Sequence, residues 1–296
     1  MTSAQIENNI AAAATLAAGK PALVWRKLIA DTDTPVGAAL KLIEPGRGDY
    51  LLESVEGGEV RGRYSIIGLD PDLVFRATGT SCEINRTWHV DRDAFDPLSG
   101  DSLAELRALV ETCRMDVPAE LPSALACLVG YFGYETVGLV EKLPRAPENE
   151  LGLPDMLFVR PTVVLIFDGL SNDLFCVAPV WPSAEAASRT LEKAAERIDE
   201  ALRKLAAPVR ATEPVDILPE PERTSKMPPE DYKAMALKAK DYIEAGDIFQ
   251  VVLAQRFTCP FTLPPLALYR ALRRINPSPF LYFLDLPGFA IIGSSP

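Results

Sequence analysis

The sequence predicts an α+β fold of mainly antiparallel sheets flanked by helices, incomplete at its C-terminal edge. Three observations point there. Short apolar runs, alternating or fully apolar, recur between Gly, Asp and Pro punctuation, which is the pattern of strands. Two of these runs, MLFVRPTVVLIFD at 156–168 and DLFCVAPVW at 173–181, are separated only by GLSN, a spacing that suits a hairpin and therefore antiparallel pairing. Segments with apolar residues at helical spacing, bounded by start and stop residues, supply the helices.

In chain order, PALVWRKLIA at 21–30 alternates Leu23, Trp25, Lys27 and Ile29 against Val24, Arg26 and Leu28, a strand pattern. Thr34 then suits an N-cap and Pro35 the first helical position, so a short helix follows. YLLESV, RYSIIGL and DLVFRAT read as three successive strands, and SLAELRALVETC at 102–113 as a helix. PSAEAASRTLEKAAERIDEALRKLAAP reads as an amphipathic helix that closes a first domain. Six prolines then fall among charged residues between Pro208 and Pro229, which blocks both helix ladders and strand pairing. The expected division is a domain over 1–207, a linker over 208–228 and the start of a second domain over 229–296. That second part opens with a helix stopped near Gly246, continues with IFQVVLAQRF as a buried strand and LPPLALYRALRRIN as a helix, and ends in two short strands across Pro287-Gly288. The last run leaves an apolar sheet edge without a cap, so the sequence is expected to continue beyond residue 296.

A length of 296 residues suits two domains, and 48% apolar with 24% charged residues is a globular composition. With 30 Lys and Arg against 41 Asp and Glu, net −11, the chain lacks the positive field that holds phosphate backbones, which argues against nucleic acid as a partner. Five scattered cysteines without a CxxC pair indicate neither zinc nor a disulfide framework and are expected to be reduced thiols packed as small apolar groups. There is no basic start to a secretory signal and no apolar run of about 18 residues, so a soluble, cytoplasmic protein without a membrane is expected. His89 is the one histidine, which argues against a His-based triad or metal site. Both common phosphate loops, GxGxxG and GxxxxGK[ST], are missing, and Arg47-Gly48-Asp49 reads as a turn.

Two segments carry chemistry. In LLESVEGGEVRGRYSIIG at 51–68, Glu53 and Ser54 end a strand, a Gly-rich turn follows, and Arg61 and Arg63 lead into the next strand. A carboxylate and a hydroxyl facing a guanidinium suit both ends of a zwitterion, although an ordinary charged hairpin has the same spacing. In NPSPFLYF at 276–283, two prolines fix an extended backbone ahead of three aromatic residues.

These two segments, with GYFGYE at 130–135 and AGDIFQVVLAQRF at 245–257, resemble anthranilate synthase component I in the family's order and over nearly the whole chain. The resemblance implies conversion of chorismate and ammonia to anthranilate and pyruvate in L-tryptophan biosynthesis, a lyase reaction. It implies a glutamine amidotransferase subunit as partner and source of ammonia. Mg²⁺ is expected on carboxylates beyond residue 296, so this chain alone is expected to be inactive. Residues 1–207 would be a regulatory domain with L-tryptophan as feedback inhibitor. Glu53 and Ser54 fall on the family's serine-containing ligand motif, and Arg63 falls where the family has a basic residue. Asn276, Pro277, Pro279, Phe280 and Leu281 match its second binding segment, with Phe280 replacing the commoner tyrosine. Gln250 is the one active-site position that carries over. Relatives that add water to chorismate, the isochorismate and salicylate synthases, have a lysine there, and glutamine cannot deprotonate water, so an amine nucleophile is favoured. Two alternatives stay open: aminodeoxychorismate synthase component I, which uses the same substrates, and a non-catalytic tryptophan-binding module.

Overall fold

The computed structural model describes residues 3–54, 62–125, 127–143, 148–209 and 221–296. The chain forms two compact units, one of residues 1–210 with 265–296 and one of residues 211–264. The expected second domain is thus divided, because its last helix and hairpin pack with the N-terminal part.

In the larger unit, α1 (Ser3–Ala17) precedes β1 (Ala22–Ile29), α2 (Pro35–Leu42) and β2 (Asp49–Glu53). Next come β3 (Tyr64–Thr78), β4 (Ser81–Asn85), β5 (Asp96–Pro97), α3 (Ser102–Cys113) and β6 (Val129–Phe132). A 3₁₀ helix, Tyr134–Leu139, leads to β7 (Met156–Asp168), β8 (Asp173–Val180) and α4 (Ala187–Leu205). The smaller unit holds β9 (Thr224–Ser225), α5 (Pro229–Glu244) and β10 (Phe257–Thr258). The larger unit is completed by α6 (Pro265–Ile275), β11 (Phe280–Leu286) and β12 (Phe289–Ser295).

Capping chemistry sets two helix starts, at Thr34 as the sequence leads one to expect and at Asp101, which the sequence reading did not single out. Thr34 Oγ1 accepts from the Gly37 N–H at 3.0 Å at the start of α2, and Asp101 accepts from the Leu103 N–H at 3.0 Å at the start of α3. Gly246 (φ +80) stops α5. The GLSN hairpin is present, with Asp168 opposite Asp173 and Asn172 at φ +56.

Among the described residues ten strands share one sheet, whose main order is β1-β8-β7-β3-β2-β11-β12, and every pairing is antiparallel. The mixed, mainly antiparallel class read from the sequence is the observed one. Its first face is covered by α1, α2, α4 and α6: Leu16, Leu42, Ile198 and Tyr269 close on Leu51, Ile67, Leu165 and Cys176. On α4 the buried positions Leu191, Ala194, Ile198, Ala201 and Leu205 repeat every three or four residues, so one stripe faces the sheet. A second cluster sets Leu106, Leu109 and Cys113 of α3 against Leu73, Phe75 and Met156.

Two strand assignments differ from expectation. RYSIIGL and DLVFRAT are one strand, β3, continuous through a register shift between Pro71 and Leu73. Asp70 takes up a left-handed conformation (φ +51) and Pro71 lies opposite Pro161 on β7, so the two residues that lack an N–H meet where the ladder slips. IFQVVLAQRF is not a buried strand: only Phe257 pairs, with Ser225, while Phe249 and Val252 are 93% and 82% exposed. A strand requires a neighbour for its backbone groups, and none of the described strands lies along 248–256. Of the cysteines, Cys82, Cys113 and Cys176 are buried free thiols as expected, whereas Cys259 is exposed. No helix among the described residues is long and apolar enough to cross a membrane.

One close approach in the sheet is testable. Tyr50 lies opposite Gly68 and is fully buried, and a Cβ on Gly68 would stand 2.1 Å from its ring. Gly68→Ala is therefore expected to cost about 1–3 kcal/mol in urea unfolding. Among the described residues Tyr50 Oη is buried without a hydrogen-bond partner, so Tyr50→Phe should be at least as stable as the parent, gaining up to about 1 kcal/mol.

Candidate functional site

β2 ends at the centre of the candidate site. Its last residue, Glu53, stands opposite Ser65 of β3 and Leu281 of β11, so the LLES segment and the PSPFL segment, more than 200 residues apart in sequence, are neighbours in one sheet. A cavity of about 290 Å³ opens beside this point, lined by Glu53, Ser54, Gly62, Arg63, Asp168 and Arg273 among others. Gly62 is left-handed (φ +87), and its N–H donates to Ser54 Oγ at 2.9 Å, which fixes the serine at the cavity wall.

The charges are held by partners that the hairpin reading did not anticipate. Arg63 makes two parallel bonds to Asp168, Nε to Oδ1 at 2.9 Å and Nη2 to Oδ2 at 2.6 Å, instead of meeting Glu53. The guanidinium holds the Asp168 carboxyl below the usual carboxylate range. Glu53, only 5% exposed, accepts from Arg273 Nε at 2.8 Å, from Arg273 Nη2 at 3.3 Å, from Ser65 Oγ at 3.4 Å and from the Tyr269 hydroxyl. Burial, followed by the nearby Glu53 charge, pushes the Tyr269 phenol far above its ordinary pKa, so it stays protonated and donating.

Of the expected site residues, Glu53, Ser54 and Arg63 line this cavity. Arg61 lies outside the described residues. Leu281 is buried in the sheet beneath the cavity wall, opposite Glu53. Asn276, Pro277, Pro279 and Phe280 are not among the lining residues. Asn276, Pro277 and Pro279 belong to the turn between α6 and β11, and Phe280 opens β11; the turn is pinned to β12 by Ser294 Oγ donating to Asn276 O and Ser278 Oγ donating to Ser295 O, both at 2.6 Å. Phe280 is 58% exposed. Gln250 belongs to the smaller unit and is exposed in an irregular segment. Sequence reasoning missed Asp168, Tyr269 and Arg273. The last two had a signal: they stand four residues apart in LALYRALRRIN and so share one helix face.

Chemically the cavity presents carboxylates, guanidinium groups and a hydroxyl within one small volume, a lining suited to a zwitterion. Among the described residues no group of three or more His, Cys, Asp or Glu side chains is placed to hold a metal ion.

The Asp168 pair has a pH signature. A carboxyl with a lowered folded pKa adds stability above its ordinary value near 3.8 and loses it as pH falls through the lower folded value. Arg63→Gln should therefore be less stable than the parent at neutral pH, by a modest amount because the guanidinium is 37% exposed. Urea unfolding in a pH series should show the gap closing below about pH 4; a gap that persists into acid would exclude this pairing as its source.

Against known proteins, residues 49–296 match the family model described as chorismate binding enzyme. The chain is 47% identical over 281 residues to anthranilate synthase component 1 of Cereibacter sphaeroides, covering 94% of this chain and 56% of that protein. It is 39% identical over 277 residues to the protein of the same name from Thermus thermophilus, covering 92% and 55%. The crystal structure of anthranilate synthase component I from Streptococcus pneumoniae superposes with a TM-score of 0.63 at 27% identity, over 91% of this chain and 57% of that one. The chain thus spans a little over half the length of the curated relatives it matches. With a family model covering 49–296 and an antiparallel fold shared with a solved relative, the chain belongs to the chorismate binding enzymes.

Proposed function

We propose that the protein acts as anthranilate synthase component I: it joins ammonia, supplied by a glutamine amidotransferase subunit, to chorismate and releases anthranilate and pyruvate. The observation that carries this reading is the 47% identity to a relative of that name across 94% of the chain. The same reading makes the cavity at Glu53 a feedback site for L-tryptophan. An amino acid there would turn its carboxylate to Arg63 or Arg273 and its ammonium to Asp168 or Glu53, with Ser54 beside the backbone. Each of these charges already has an internal partner, so binding exchanges ion pairs and does not need bare buried charge in the empty protein. Leu281 lies opposite Glu53 in the sheet, and Asn276, Pro277, Pro279 and Phe280, just before it, would form a stiff outer border with little entropy left to lose on binding.

In the reaction itself, Gln250 offers an amide that donates and accepts hydrogen bonds but does not act as a base, in keeping with ammonia rather than water as nucleophile. Mg²⁺ would be held by carboxylates other than those described here and would polarise the substrate.

Two variants of the full-length enzyme test these roles, read by anthranilate fluorescence. Ser54→Phe should fill the cavity and raise the L-tryptophan concentration for half-inhibition about tenfold or more, about 1.4 kcal/mol, with uninhibited turnover largely kept. An inhibition curve that does not move would reject the cavity as the regulatory site. Gln250→Lys should lower kcat/KM with ammonia while leaving inhibition intact; unaltered kinetics would remove this side chain from the vicinity of the reacting ring.

A further inference from the structure

A second cavity, of about 610 Å³, lies between α4 and the sheet, away from Glu53, and is lined by residues of α2, α4, β3 and β7 together with Arg47 and His89. Its floor is apolar: Leu42, Leu69 and Val163 are 2%, 5% and 3% exposed. Around its mouth the charges are matched. Arg47 pairs with Glu44 at 2.9 Å and Asp49 at 2.7 Å, Lys204 pairs with Glu44 at 3.1 Å, and Lys193 pairs with Glu185 at 2.8 Å. Glu196 stands exposed at the rim.

Two opposite charges inside the cavity, Arg197 and Asp70, make no ion pair among the described residues. Arg197 of α4 is half-buried, makes no ion pair among the described residues, and has its Nε sealed from solvent without a hydrogen bond. Arg197 is one of the residues that line the cavity. Burial holds the Arg197 pKa below its ordinary value, while Asp72 and Asp70 act in the opposite direction. Asp72 is already committed, accepting from Arg160 Nε at 2.8 Å and Nη2 at 2.9 Å. Asp70 is not: its backbone is pinned, the N–H donating to Asp49 Oδ1 at 2.8 Å and the C=O accepting from Thr162 Oγ1 at 2.7 Å, but its carboxylate makes no side-chain hydrogen bond or ion pair among the described residues and acts on Arg47 and Arg197 only at longer range. An arginine and an aspartate, neither ion-paired among the described residues, thus share one roomy cavity with an aliphatic floor.

We propose that this cavity is a second small-molecule site, for an α-amino acid with an aliphatic side chain, its carboxylate on Arg197, its ammonium on Asp70 and its side chain on Leu42, Leu69 and Val163. Each end of such a ligand satisfies one of the two open charges, and neither a simple anion nor a simple cation does both. A preformed cavity of several hundred Å³ with few convergent polar groups is the usual form of such sites. The site is separate from the one at Glu53 and does not rest on the proposed catalytic function.

The test uses the intact full-length protein in isothermal titration with L-leucine, L-methionine and L-valine. L-leucinamide, which lacks the carboxylate, and 4-methylpentanoate, which lacks the ammonium, are the controls. At least one of the three amino acids should bind with a Kd of about 1 mM or tighter, and its binding should weaken about tenfold or more in both Arg197→Gln and Asp70→Asn. The two controls should bind about tenfold more weakly than L-leucine or not at all. Arg197→Gln should melt no lower than the parent, since it removes a partly desolvated charge without breaking an ion pair, and inhibition by L-tryptophan should be unchanged in both variants. No heat from any of the three amino acids overturns the proposal. So does binding that survives both substitutions, and so does 4-methylpentanoate binding as well as L-leucine, which would make the site one for simple anions.

Discussion

The Glu53 carboxylate is the constraint on which the larger unit turns. It sits at the end of β2 almost without solvent, and a buried carboxylate is tolerable only if its oxygens are bonded and its charge is met. Tyr269 and Arg273 of α6 meet both requirements. The polar demand of one N-terminal residue therefore selects a helix that begins more than 200 positions later. That helix delivers β11 to the free edge of β2, with Leu281 opposite Glu53. Loss of one partner would leave the other charge buried and open, a cost of about 3–5 kcal/mol, whereas the intact cluster need add little net stability. Its contribution is specificity of arrangement.

The far end of β2 is closed in a related way. Asp49, fully buried, accepts from Arg47 and from the N–H groups of Glu44 and Asp70, and Trp88 donates its indole N–H to Arg47 O at 2.7 Å. Asp285, opposite Asp49 on β11, accepts from the Gly46 N–H at 3.1 Å, and its backbone oxygen takes the Gly48 N–H at 2.9 Å. Between these two polar clamps Tyr50, Leu51 and Leu52 alternate between the clusters on the two faces of the sheet. β2 is only five residues long, yet its ends are fixed on three sides. A strand held this firmly is a rigid base for a cavity wall, and a ligand that re-partners Glu53 would act on α6 directly.

The proposed regulatory cavity and the proposed amino-acid cavity differ in how their charge is managed. Around Glu53 each charged group has an internal partner, so a ligand must compete for it. Between α4 and β3, Arg197 and Asp70 make no ion pair among the described residues, so a ligand would complete the bonding. The first arrangement suits a site whose occupancy moves structure, and the second suits one whose occupancy stabilises the structure already present.

Much of the fold was legible in the sequence because its signals are local. Thr34 and Pro35 start a helix through their own geometry, GLSN joins two runs whose pairing follows from a four-residue loop, and the repeat of Leu191, Ala194, Ile198 and Ala201 marks a buried stripe whatever it packs on. The residue types at the candidate site were legible too, since Glu53, Ser54 and Arg63 sit within one short segment. What the sequence by itself could not decide is which distant group satisfies each charge. Arg63 finds Asp168 and Glu53 finds Arg273 because β3 lies between β2 and β7 and α6 crosses the end of β2. It also could not decide that Pro71 sits within a strand, where Pro161 lies opposite, or that IFQVVLAQRF joins a ladder only at its last residue, Phe257. In each case the deciding quantity is a hydrogen bond to a residue far away in the chain. Local pattern states the demand for a partner, and only the assembled sheet determines where that demand is met.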